Sequence, residues 1–133
     1  MSEYIFEAVT GPDTLAEIQR TLDLAWSEED VSPQTTMCME LAVSEIGTNI
    51  IAYSNDGQPV RMRMVVDVEP EHVAVTFTDD GHPARVDLTR ITLPDDAAES
   101  GRGLALAHRV LDELSYSREA DGNRWTLIRR RSE

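Results

Sequence analysis

Between Met39 and Val68 the spacing of apolar residues switches from a helical repeat to an extended one, and that switch restricts the folds open to this chain. Met39, Val43, Ile46, Ile50 and Tyr53 recur at steps of four and three, an unbroken stripe down one side of a helix. Asn55-Asp56-Gly57 then interrupts it. Beyond that turn, Val60, Met62, Met64, Val66 and Val68 alternate with Arg61, Arg63 and Asp67, the pattern of a strand with one buried face. A one-sided helix leading into a one-sided strand buries its stripe most readily against the strand's apolar face.

The remaining segments extend this two-layer plan. Tyr4 to Val9 reads as a strand, broken by Gly11-Pro12-Asp13. Asp13 or Thr14 caps helix one, whose apolar side carries Leu15, Ile18, Leu22 and Trp26. Ser32 caps helix two, with Pro33 at its first position and its end near Ser54. After the turn Glu69-Pro70-Glu71, Val73, Val75 and Phe77 share one face of a strand that forms a hairpin with the preceding one. Leu104, Leu106, Ala107, Val110 and Leu111 make helix three, and residues 113–118 and 124–129 close the chain as two strands about Asp121-Gly122-Asn123. The order β-α-α-β-β-loop-α-β-β predicts an α+β two-layer sandwich in one domain, 1–133. Its sheet is mixed but mostly antiparallel, with three helices on one face. It is not the alternating order of a Rossmann domain, and no Walker A motif is present.

Charge narrows the choice of partners. The formal net charge is −13, which argues against nucleic acid and against an anionic membrane surface. It suits either plain solubility or an acidic surface that meets a basic protein. No apolar run approaches the roughly 20 residues of a membrane helix, and Met1-Ser2-Glu3-Tyr4 does not open a signal peptide. A cytoplasmic location is expected. Cys38 stands alone, and His72, His82 and His108 lack metal-ligand spacing. The Arg129-Arg130-Arg131 run reads as a solvated strand end.

Three short motifs carry chemistry. Glu45 and Asn49 are four apart on helix two and flank its apolar stripe. An amide oxygen suits Mg²⁺, and a carboxylate one turn away can take a proton from an attacking hydroxyl. The plainer alternative is a solvated pair. Asp79 continues the face of Val73, Val75 and Phe77, so it points inward and needs donors; an adenine amino group would serve, with Gly81 admitting a flat ring. The plainer alternative is a turn cap. Gly101-Arg102-Gly103 directly precedes helix three, where free N–H groups and Arg102 can meet phosphate. Alone, it could equally be an ordinary loop-to-helix junction.

Taken together, the motifs resemble a known family. Ala42-Val43-Ser44-Glu45-Ile46-Gly47-Thr48-Asn49-Ile50-Ile51 resembles the N box of the GHKL ATPase/kinase superfamily, Asp79-Asp80-Gly81-His82-Pro83 its first glycine box, and Gly101-Arg102-Gly103-Leu104-Ala105-Leu106 its second. Within it the chain looks like the anti-sigma factor serine kinases, with further matches at 111–116 and 122–127. The resemblance implies a Bergerat-type sandwich that binds ATP or ADP with Mg²⁺. It implies Asn49 on the metal and Asp79 on the adenine amino group. Gly81, Gly101 and Gly103 would shape the pocket, with Pro83, Arg102 and Leu104 as further contacts from the same boxes. It also implies Glu45 as the base activating a serine of a STAS-type anti-anti-sigma factor, a sigma factor or other regulator as client, and a homodimer.

Two features depart from that pattern. The family often has His four residues after the N-box Asn; here Tyr53 stands there and fits the apolar stripe. The segment before Gly101 is acidic, with no Lys or Arg between Ile91 and Ser100, so phosphate contacts from it beyond Arg102 are not expected. Two other readings stay open: a sequestering module without catalysis, and an ATPase of another branch of the superfamily.

Overall fold

The computed structural model describes residues 2–53, 55, 58–83 and 99–131. Strand β1 (Ser2–Val9) leads into helices α1 (Thr14–Glu28) and α2 (Pro33–Tyr53), then the hairpin β2 (Arg61–Val68) and β3 (His72–Asp79). Helix α3 (Glu99–Val110) precedes the closing strands β4 (Glu113–Glu119) and β5 (Gly122–Arg130). The sheet order is β1-β2-β3-β5-β4. Among the described residues each neighbouring pair is antiparallel, so the sheet expected to be mostly antiparallel is wholly so there. Two hairpins join β2 to β3 and β4 to β5, the helices α1 and α2 carry the chain from β1 to its neighbour β2, and α3 leads to the edge strand β4, so that β5 returns between β3 and β4.

The fold is the α+β sandwich that the periodicities predict, and the strand alternation is the reason. Met62, Met64, Val66 and Val68 of β2 and Val73, Val75 and Phe77 of β3 are buried, while Arg61 and Arg63 are exposed. Met39, Val43, Ile46 and Ile50 of α2 and Ile18 and Leu22 of α1 cover that face. Phe77, fully buried, is among the largest side chains in this layer; burying one such ring is worth about 1.5–3 kcal/mol. Gly47 lets α1 approach α2, since a Cβ there would sit 3.3 Å from Ile18 Cδ1 and 3.5 Å from Leu15 Cδ2.

Several ends differ from expectation. Ser32 does cap α2, its Oγ accepting from the Thr35 N–H at 3.2 Å. The Asp13 side chain makes no capping bond on α1; instead the Gly11 N–H donates to Thr14 Oγ1 at 2.8 Å. Helix α3 starts at Glu99, so Gly101-Arg102-Gly103 lie inside its first turn and a half rather than ahead of it. Strand β5 takes in Gly122 and Asn123, which leaves Ala120-Asp121 as the turn. The run at Arg129–Arg131 is not simply solvated: Arg129 NH1 donates to the Val110 carbonyl at 2.7 Å, and Arg131 donates to the carbonyls of Glu69 and Asp30. A guanidinium is well suited to such carbonyl clamps at a chain end. The packing of the Tyr53 side chain and the acidic segment at 91–98 lie outside the described residues.

At the far edge, the Tyr4 hydroxyl donates to Glu29 Oε2 at 2.8 Å and Glu28 Oε1 at 3.0 Å. Desolvation first, and then these two bonds, raise the phenol above its ordinary 10.0. The bond from Tyr4, followed by one from Ser2, lowers Glu29 below its ordinary 4.5. The folded state thus holds the phenolic proton more tightly, a contribution complete below pH 10 and lost as pH rises through the folded value. The Glu29 contribution is complete above its ordinary value and lost as pH falls through the folded one. Tyr4→Phe is expected to flatten both limbs of a stability–pH curve measured by denaturant unfolding, and equal limbs in the two proteins would contradict this.

Candidate functional site

The alternation of β3 ends on Asp79, which is 6% exposed and lies on the helix-covered face. In register it stands between Met62 of β2 and Asn123 of β5. A buried carboxylate is costly unless hydrogen-bonded. Asp79 Oδ1 accepts from the Gly81 N–H at 2.8 Å and from Asn123 Nδ2 at 2.9 Å. The first bond closes a turn, so the inward carboxylate and the turn cap are one and the same residue. Asp80 holds the neighbouring strand: its Oδ1 accepts from the Arg61 N–H at 2.9 Å, and its own N–H donates to the Arg61 carbonyl at 3.2 Å.

Asn123 is the hub behind Asp79, and sequence reading missed it. It is 3% exposed. Besides Asp79, its Nδ2 donates to the His82 carbonyl at 2.7 Å. Its Oδ1 accepts from the Tyr116 hydroxyl and from Arg118 NH1 at 3.2 Å. Arg118 NH1 also donates to the Gly81 carbonyl at 2.8 Å. The backbone of Gly81 is thereby fixed on both its N–H and its C=O. A signal was available: Asn123, Trp125 and Leu127 share a face, so Asn123 is a polar residue at the inner end of a strand, as Asp79 is.

Gly122 is more than a turn residue. A Cβ there would fall 1.9 Å from the Asp79 carbonyl oxygen and 2.9 Å from its carbon. The two strands meet at this point backbone to backbone, an approach only glycine permits.

Glu45 and Asn49 occupy the same side of α2, one turn apart. Both are half-buried, between the buried Ile46 and Ile50 and the exposed Ser44 and Thr48. They therefore edge the core without being enclosed by it, and α2 packs against β3 and against α3. Leu104 and Ala107 of α3 are buried. With α3 starting at Glu99, the N–H groups of 99–102 are the ones without partners in the helix ladder. The two glycines in the first turn and a half cost about 1 kcal/mol each relative to alanine, so this end of α3 is intrinsically weak. Pro83, His82 and His108 are exposed.

A hollow of about 620 Å³ opens at the same end of the sheet. Its walls include Glu7, Asp80, Glu119 and Asp121 alongside Arg61 and Arg63. That predominantly acidic lining repels phosphate. Among the described residues, no three His, Cys, Asp or Glu side chains form a metal-ligand group. A metal beside Asn49 would take its other ligands from phosphate and water, as Mg²⁺ commonly does.

The histidine kinase-like ATPase domain family matches residues 9–129. The chain belongs to this family. Solved structures agree in fold. The RsbU and RsbW domains of a Mycobacterium tuberculosis protein superpose with a TM-score of 0.70 at 16% identity, over 98% of this chain and 32% of that one. The histidine kinase domain of a blue-light activated kinase from Erythrobacter litoralis gives 0.55 at 20% identity, over 89% and 61%. The catalytic domain of histidine kinase ThkA gives 0.58 at 11% identity, over 96% and 97%. The chain thus spans about a third of the first of these proteins and under two thirds of the second. The sequence matches no curated protein. Membership of this ATPase family implies a nucleotide site, and no described helix is long and apolar enough to cross a membrane.

Gly122→Ala tests the strand contact. The methyl group must displace the Asp79 backbone, an overpacking expected to cost about 1–3 kcal/mol. Thermal unfolding and ADP titration should both register it, and a variant with wild-type stability and affinity would show that this contact is unimportant.

Proposed function

We infer that the chain is an anti-sigma factor and protein-serine kinase of a bacterial partner-switching system. It binds Mg-ATP and phosphorylates a serine of a STAS-type anti-anti-sigma factor, with residues 1–133 acting as one cytoplasmic unit and pairing as a homodimer. The observation that carries the reading is the pair Glu45 and Asn49, a carboxylate and an amide one turn apart at the margin of the α2 stripe, both half-buried. The RsbW domain in the structural neighbour from Mycobacterium tuberculosis supports the same branch of the family.

The division of labour follows from the side-chain chemistry. The carboxylate of Asp79 accepts the adenine 6-amino hydrogen, while Gly81 and Pro83 border the ring. The backbone of Gly101 and Gly103, the Arg102 side chain and Leu104 serve the phosphate end. Asn49 would supply an oxygen to Mg²⁺, whose charge would offset that of the phosphates. Glu45 accepts the proton of the substrate serine as its hydroxyl oxygen bonds to the γ-phosphorus and the bond to the ADP oxygen breaks. Positioning and charge neutralisation dominate such transfers, so a small set of residues suffices. An unphosphorylated antagonist binds and releases the client; phosphorylation ejects the antagonist and the client is recaptured.

Calorimetric titration of Mg-ADP tests the site. Asp79→Asn replaces an acceptor with a donor facing the adenine amino group, and Asn49→Ala removes the metal contact. Each is expected to weaken binding about tenfold or more. A folded wild-type chain that binds neither ADP nor ATP would reduce the protein to a sequestering module.

The catalytic assignment has its own test. Glu45→Ala should keep nucleotide affinity and lower the rate of transfer to the antagonist serine by about 10²–10⁴. An unchanged rate would remove Glu45 from the role of base.

A further inference from the structure

We propose that Asn123 is a specificity-determining residue of the nucleotide site, holding the Asp79 carboxylate as an oriented acceptor so that the site selects a 6-amino purine over a 6-oxo purine. The proposal rests on the reading of Asp79 as the adenine-recognising group. Asn123 acts through Asp79 and is a positioning residue.

The amide of Asn123 has only one workable orientation. A guanidinium can only donate, so Arg118 NH1 at 3.2 Å identifies the amide oxygen. The Tyr116 hydroxyl donates to the same oxygen. The NH₂ group must then face the other way, giving one hydrogen to Asp79 Oδ1 at 2.9 Å and the other to the His82 carbonyl at 2.7 Å. Flipping the amide would break the contacts to Arg118, Asp79 and His82 and turn its NH₂ toward a guanidinium. At 3% exposure, water does not compete for these bonds.

That orientation fixes Asp79 in turn. Its Oδ1 receives the Asn123 hydrogen from the neighbouring strand and the Gly81 hydrogen from the loop beyond β3. The terminal torsion of a carboxylate is otherwise soft. Anchored through one oxygen by two donors, it cannot turn without losing both bonds. Its backbone is held too, because Gly122 of β5 lies directly against the Asp79 carbonyl. The direction of the second oxygen, Oδ2, is therefore set by Asn123 and Gly81 together.

A rigid acceptor discriminates and a pivoting one does not. A 6-amino group donates to the carboxylate, whereas a 6-oxo group places acceptor against acceptor. A carboxylate held by Gly81 alone could swing aside and relieve that repulsion. Held also by Asn123 it cannot, and the mismatch is paid in full.

The experiment is calorimetric titration of Mg-ADP and Mg-IDP into the full chain, as wild type, Asn123→Ser, Asn123→Asp and Asp79→Asn, each first checked for folding by circular dichroism. Wild type should prefer ADP by about 100-fold or more. Both Asn123 variants should narrow the ADP-to-IDP affinity ratio about tenfold. The ratio is the decisive readout, because loosened structure alone would weaken both nucleotides by the same factor. Serine is small and hydratable, so Asn123→Ser carries the comparison if the aspartate variant does not fold. A wild-type ratio in the Asn123 variants, together with a collapsed ratio in Asp79→Asn, would overturn the role of Asn123 and spare the reading of Asp79. Unaltered ADP affinity and ratio in Asp79→Asn, or no ADP binding by wild type, would overturn that reading and this proposal with it.

Discussion

A carboxylate at the end of a buried strand face has to be supplied with donors, and one end of this sheet is organised around supplying Asp79. Its bonds reach forward to the Gly81 N–H and sideways to Asn123 on β5. Asn123 is itself braced by Tyr116 and Arg118 from β4. Arg118 returns to the Gly81 carbonyl and closes the ring of contacts. Three strands and a loop are thus tied to one side chain. Because Gly122 admits no side chain at the meeting point, the tie is made at backbone distance.

The helix layer answers a different demand. Helix α2 must cover the sheet, which it does with Met39, Val43, Ile46 and Ile50. The residues that flank this stripe can be neither fully buried nor fully solvated, and Glu45 and Asn49 are among them. Such a position combines a backbone held by the core with polar ends that stay half-exposed. Helix α3, packed on α2, has two glycines in its first turn and a half. Glycines at these positions lower the intrinsic stability of that end of the helix.

Much of the architecture was legible in the sequence because it follows from periodicity. The order of elements, the hairpin of β2 and β3 and the inward direction of Asp79 all come from counting apolar positions at steps of two or of three and four. Errors gathered at element ends. Gly101 and Gly103 look like loop residues by propensity, yet they lie in helix α3, since neighbours and packing override a weak local preference. Arg129 and Arg131 look like solvated charge, yet they clamp carbonyls that come from elsewhere in the chain.

The sequence by itself determined which faces are apolar, which residues end those faces, and through its motifs the family to which the chain belongs. These are local properties, set by side-chain type and by the repeat of the backbone. What only the tertiary structure decided is which distant groups meet. Asn123 lies 44 residues beyond Asp79 and bonds to it because β5 inserts between β3 and β4. Gly122 is constrained by a carbonyl on another strand, and not by its own turn. The inward direction of Asn123 can be read from its strand, but the partners of Asn123 and Gly122 cannot, because a polar side chain and a glycine at a strand end are compatible with many surroundings. Only the sheet order and its register select this one.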